Sequence, residues 1–109
     1  MLILKAQFTI DPLQRAEFIQ DMRRLIEASL AEEGCITFGC YEDISEPHSF
    51  VVLEEWHGQA DLERHEASAH LAAFKASAGP MIVSRKETVI YTVSRLAGLH
   101  SLKPGDEGS

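Results

Sequence analysis

The sequence predicts an α+β fold with element order β-α-β-β-α-β, the split βαβ arrangement. Three observations carry this. Residues 2–10, 35–43, 50–56 and 81–96 read as four strands. Two helical stretches, one following Asp11 and one over 60–78, separate the first strand from the second and the third from the fourth. With 109 residues, 45% hydrophobic and 25% charged, the chain has the size and composition of one domain.

The elements are justified in order. Leu2 to Ile10 alternates loosely. Asp11 then offers a cap, Pro12 suits the first helical position, and Gln14 can complete a capping box. Leu13, Phe18, Met22, Leu25, Ile26 and Leu30 make one apolar helical stripe, and Gly34 stands where a helix end favours positive φ. A β-like run from Cys35 leads through the turn Ser45-Glu46-Pro47-His48 to the clearest strand, Phe50-Val-Val-Leu-Glu-Glu-Trp56. Gly58 breaks that strand. The stretch 60–78 is rich in Ala, Glu, Leu and His, Ser68 can cap a second piece and kink it, and Gly79-Pro80 stops it. Residues 81–96 alternate as one long last strand, and 97–109, poor in apolar residues, read as a flexible tail after a domain of residues 1–96.

The third strand is apolar on both faces, with Phe50, Val52 and Trp56 on one and Val51 and Leu53 on the other. Two helices cover one face of the sheet. The other needs a second cover, and a chain this short leaves a second subunit as the economical one, so a homodimer with sheets face to face is expected.

Charge and motifs narrow the function classes. Seventeen acidic residues against 10 basic give a net charge of −7, which disfavours a polyphosphate partner, so no nucleic-acid binding is expected. No apolar run approaches the ~20 residues of a membrane span, and the N-terminus lacks the order of a signal peptide. The expectation is a cytoplasmic protein without a membrane partner. Cys35 and Cys40, if on one strand, sit roughly 16 Å apart on opposite faces, too far for a disulfide. No G-x-G-x-x-G or P-loop occurs.

Glu33-Gly34-Cys35, then Pro47, Phe50, Glu54-Glu55-Trp56, Leu62, His65, Ser68, His70 and Phe74 form the series Glu-x-Gly-Cys, Phe-x-x-x-Glu-x-Trp, His-x-x-Ser-x-His. Over residues 1–96 this resembles the antibiotic biosynthesis monooxygenase (ABM) domain and the related small quinol monooxygenases. The resemblance implies a dimeric α+β barrel of ferredoxin-like subunits, each with a pocket between sheet and helices. It also implies oxidation of a small hydroxyarene or quinol with O2 and no flavin, haem or metal cofactor. An electron-rich hydroxyarene, once deprotonated, can itself pass an electron to O2; the protein binds it, stabilises the anion and excludes water.

The candidate catalytic residues are Trp56, His65 and His70. The resemblance gives Trp56 a place in the pocket, orienting substrate; its structural alternative is a core aromatic with a bonded N–H. Either imidazole can accept a phenolic proton. The alternative for both is a hydrogen bond across a kink at Ser68. Glu54 shares a face with Trp56 and is a candidate base or a paired carboxylate. Phe38, Phe50, Val52, Leu62 and Phe74 are candidate substrate-binding walls or plain core. No metal site is expected, because histidines five apart on one helix diverge, whereas ligand pairs sit three or four apart.

Two departures from the resemblance matter. Val52 stands where polyketide-type members carry a polar amide. Ala6 (or Gln7), His65 and Lys75 stand where haem-degrading relatives carry Asn, Trp and His. Two further readings remain: an isomerase of a small hydroxyketone metabolite, with Arg85 or Lys86 as an anion contact, and a non-catalytic dimer that binds a small apolar ligand.

Overall fold

A computed structural model describes residues 1–94 of the chain. Five strands and three helices follow the expected order: β1 (Leu2–Ile10), α1 (Arg15–Leu30), β2 (Cys35–Glu42), β3 (Ser49–Trp56), α2 (Gln59–Glu66), α3 (Ala69–Ala78), β4 (Ile82–Arg85) and β5 (Val89–Thr92). The sheet is antiparallel and ordered β2-β3-β1-β4, with β5 also pairing β1. This is the expected α+β, ferredoxin-like arrangement. The tail over 97–109 and the end of the expected last strand lie outside the described residues.

Strand parity decides what meets the helices. Leu4 and Phe8 on β1, and Phe50, Val52, Glu54 and Trp56 on β3, are buried. Across the core Phe18 of α1 sits 5.5 Å from Phe8 and 5.0 Å from Phe50, ring centre to ring centre. Each such buried ring contributes roughly 1.5–3 kcal/mol. The opposite face carries Leu53, Tyr41 and Tyr91, which are 37%, 59% and 45% exposed. No helix of the described residues is long and apolar enough to cross a membrane.

Three local expectations are corrected. Asp11 does cap, accepting from Leu13 N–H at 3.0 Å, but it caps a 3-10 turn (Pro12–Gln14) ahead of α1. No capping box with Gln14 closes, because the Asp11 N–H is taken by the Met81 carbonyl. The tighter turn throws Leu13 out of the stripe, leaving it 92% exposed. The long last strand is two strands on one edge of β1: β4 pairs its end (Phe8 to Ile10) and β5 its beginning (Leu2 to Lys5). Finally, a bulge between Cys35 and Thr37 reverses the parity count, so both cysteines pack toward the core, both free.

The second helical stretch is two helices joined at Ser68, as its capping position predicts. The Ser68 Oγ accepts from Leu71 N–H (3.2 Å), capping α3, and donates to the His65 carbonyl (2.7 Å), closing α2. One side chain thus fixes both the end of α2 and the start of α3.

Candidate active site

The last turn of α2 and the first of α3 bring His65 and His70 together, with ring centres 5.8 Å apart. His65 is 1% exposed. Its ring packs against Trp56 at 4.7 Å and Phe38 at 5.4 Å. Its Nδ1 lies 2.6 Å from Glu32 Oε2, just after the end of α1, and its Nε2 lies 3.8 Å from Glu54 Oε1 on β3. Gly34, at φ +90°, turns the chain from α1 into β2 and so places Glu32 over α2. A Cβ at Gly34 would run into the Asp61 carboxyl, so the position excludes other residues on two grounds.

Glu54 is 7% exposed, and its Oε1 accepts the Trp56 indole N–H at 3.0 Å. Burial pushes the Glu54 carboxyl up to about 7; Trp56 holds it down in part, and the nearby Glu66 and Glu32 charges push it further up. A buried carboxylate and a buried imidazole therefore face one another with only 3.8 Å between them.

A cavity of about 400 Å³ opens between sheet and helices, with Glu54 and His65 in its wall. Leu4, Phe8, Met22, Phe38 and Val52 supply apolar surface, and Phe74 and Leu71 do so from α3. Lys75, Arg85 and Thr88 also line it, beside the break between β4 and β5. Such a volume lies in the range of small-molecule sites.

The structure places the sequence-selected residues unevenly. Phe38, Val52, Glu54, His65 and Phe74 line this cavity. Trp56 does not. It is fully buried behind Glu54, with its N–H already engaged, and so reaches the cavity only through that carboxylate. Phe50 is core beneath Phe18, Leu62 packs on the other side of α2, and His70 opens onto a separate surface depression between α1 and α3. Glu32 was not selected from the sequence. It is the first residue of the Glu-x-Gly-Cys series, but nothing in local spacing links it to a histidine 33 residues onward.

The expectation that His65 and His70 diverge is also corrected. It assumed one continuous helix, whereas the Ser68 joint bends the path between them. Their donor nitrogens and a Glu32 oxygen lie within 4.8 Å of one another.

Known proteins share this architecture. YcnE of Bacillus subtilis (strain 168), which bears the provisional name of a monooxygenase, is 33% identical over 92 residues, 84% of this chain and 96% of that protein. A conserved protein from Methanosarcina mazei Go1 is 30% identical, with a TM-score of 0.79 over 83% of this chain and 89% of its own. A structure from Deinococcus radiodurans, 19% identical, shares the fold with a TM-score of 0.82 over 91% of this chain and 98% of its own. The family model of the antibiotic biosynthesis monooxygenases matches residues 1–77. The chain belongs to the antibiotic biosynthesis monooxygenase family.

Proposed function

We propose that this protein is a cofactor-independent monooxygenase that oxidises a small hydroxyarene or quinol with O2, working as a cytoplasmic homodimer. The observation that carries the reading is the buried Glu54–His65 pair in the wall of an apolar cavity of about 400 Å³. A carboxylate only accepts, so the Glu32 contact takes the Nδ1–H of His65 and leaves Nε2 as the acceptor on the Glu54 side. In this reading His65 Nε2 removes the substrate hydroxyl proton. Glu32 orients the ring and, with Glu54, stabilises the imidazolium that forms. The apolar walls keep the resulting anion poorly solvated, which raises its energy as an electron donor.

The electrons then come from the substrate. Its anion gives one electron to O2, and the two radicals join in a new carbon–oxygen bond. The imidazolium returns its proton to make a hydroperoxide. That carbon then loses its hydrogen as a proton, the O–O bond breaks, and a carbonyl and water result. One oxygen atom enters the product and the other leaves as water. Trp56 acts on this sequence through Glu54, by donating to Oε1.

Pairing of subunits is supported by the exposed apolar face opposite the helices, where Tyr41 lies across from Val51, and Tyr91 across from Ile3. The function is tested by oxygen uptake from chelator-treated protein with a panel of quinols and hydroxyarenes. The expected result is one O2 consumed per molecule of product. Folded protein that takes up no oxygen with any member, or that turns a hydroxyketone over under argon, contradicts the reading.

A further inference from the structure

We propose that Glu32, His65 and His70 bind one divalent first-row transition-metal ion of the zinc class, tying the ends of α1, α2 and α3 together. The three donor atoms lie within 4.8 Å of one another, and one oxygen, Glu32 Oε2, faces both rings. It is 2.6 Å from His65 Nδ1 and 3.1 Å from His70 Nε2. Donors around a tetrahedral zinc stand ~3.3 Å apart, given metal–ligand bonds of ~2.0–2.1 Å. An ion therefore needs the carboxylate to retreat by a fraction of an ångström, the proton between Glu32 and His65 to leave, and the two ring nitrogens, held within 4.8 Å of each other, to close to the tetrahedral spacing by side-chain rotation.

A second observation points to a ligand. His70 Nε2 is buried without a hydrogen-bond partner, although Glu32 Oε2 is only 3.1 Å away. The oxygen lies off the direction in which that nitrogen bonds. A buried ring nitrogen left in this state is an unexplained expense in a folded protein. A cation between the rings would satisfy it together with His65 Nδ1. Ser29 Oγ, three residues before Glu32 on the buried side of α1, also has no partner.

The surroundings suit the ion. Two imidazoles and a carboxylate are the donor set that zinc, cobalt, nickel and copper take. Behind His65, Glu54 Oε1 faces the other ring nitrogen at 3.8 Å, the place of the carboxylate that orients a metal-bound histidine. His70 borders a surface depression with Asp21, Ala28 and Ser77, which gives the ion a way in and leaves room for a water as fourth ligand. Glu32 and His70 lie outside the apolar cavity, but His65 lines it, and an ion on His65 Nδ1 leaves the ring proton on Nε2, so the metal-bound form and the proton-accepting form of His65 exclude one another.

The fold supplies a reporter. Trp56 is the only tryptophan, and its ring lies 4.7 Å from that of His65. The test uses the tag-free full chain, stripped with chelator, titrated with Zn2+ by calorimetry and with Co2+ by absorption and Trp56 fluorescence. The expected result is one ion per chain with micromolar or tighter affinity. Co2+ should quench most of the Trp56 emission and show the visible bands of a four- or five-coordinate N/O site. Glu32→Gln and His70→Ala should each weaken binding at least tenfold, while His57→Ala, an exposed histidine, leaves it unchanged. Should His70→Ala unfold, Glu32→Gln with His70→Gln decides the matter. No binding at 0.1 mM ion, or binding that the Glu32 and His70 variants leave intact, overturns the proposal. Oxygen uptake is not a readout here, so the two readings fail separately.

Discussion

The Trp56 indole N–H donates to Glu54 Oε1 at 3.0 Å, and the two residues stand two apart on one face of β3. The sole tryptophan is thus the partner of a buried acid. Replacing it with Phe removes the donor that holds the Glu54 carboxyl down. In Trp56→Phe the carboxyl should titrate above the wild-type value of about 7, as read by carboxyl-carbon NMR. The fold should lose about 2 kcal/mol, from a hydrogen bond to a charged group and the space left. An unchanged titration would show that the N–H does not support the carboxylate.

Glu54 also makes stability depend on pH. Its folded value, about 7, lies above the unfolded 4.5, so between these values the folded state holds more protons. The contribution is therefore fully present below about 4.5 and is lost as pH rises to about 7, by roughly 3 kcal/mol. Urea unfolding of chelator-treated protein at pH 5 and pH 8 should show this loss in wild type. Glu54→Gln should lack it. Parallel behaviour of the two would place the carboxyl in a wetter setting than the one described.

Ser68 serves two helices through one hydroxyl. Ser68→Ala should cost about 1 kcal/mol as a lost cap. It should also lower the catalytic rate, because the hydroxyl holds the His65 carbonyl at the end of α2, and Ser68→Thr should restore both. A loss of stability with full activity would separate the bend from the site.

Both thiols should be inert in the folded chain. Burial pushes Cys40 up to about 12 and Cys35 up to about 11. At pH 8 the thiolate fraction of Cys40 is then ~10⁻⁴. Iodoacetamide followed by mass spectrometry should find both unmodified until denaturant is added. Rapid labelling of Cys40 without denaturant would contradict its burial.

Leu53 lies on the sheet face away from the helices, between Gly39 and Lys5 on the neighbouring strands. Light scattering should give a dimer for wild type and a monomer for Leu53→Glu, with the secondary structure unchanged. A wild-type monomer would contradict the expected pairing of sheets.

These residues show how far local patterns reach. Alternation located β1 and β3 and put Glu54 and Trp56 on one face, because period-two burial is a property of the strand itself. The Asp11 cap and the positive φ of Gly34 were legible for the same local reason. Ser68 was seen as a joint, yet the consequence for His65 and His70 was missed, since helical spacing says nothing once the axis turns. The Cys35–Thr37 bulge defeated the parity count. The role of Glu32 is not legible because its partner is set by tertiary packing, and the resemblance puts Trp56 in the pocket where the fold makes it the core aromatic with a bonded N–H. The resemblance supplied the family; the way Trp56, Glu54, His65 and Glu32 connect came only with the fold.

The central claim is that His65 takes a proton in a dry cavity and the substrate anion reduces O2. It is tested most directly by turnover of an active quinol under ¹⁸O2 with chelator present, comparing wild type, His65→Ala and His57→Ala. The account expects one labelled oxygen atom per product, a rate at least a hundredfold lower in folded His65→Ala, and a His57→Ala rate equal to wild type. Equal rates in wild type and folded His65→Ala, or product without label, would contradict it.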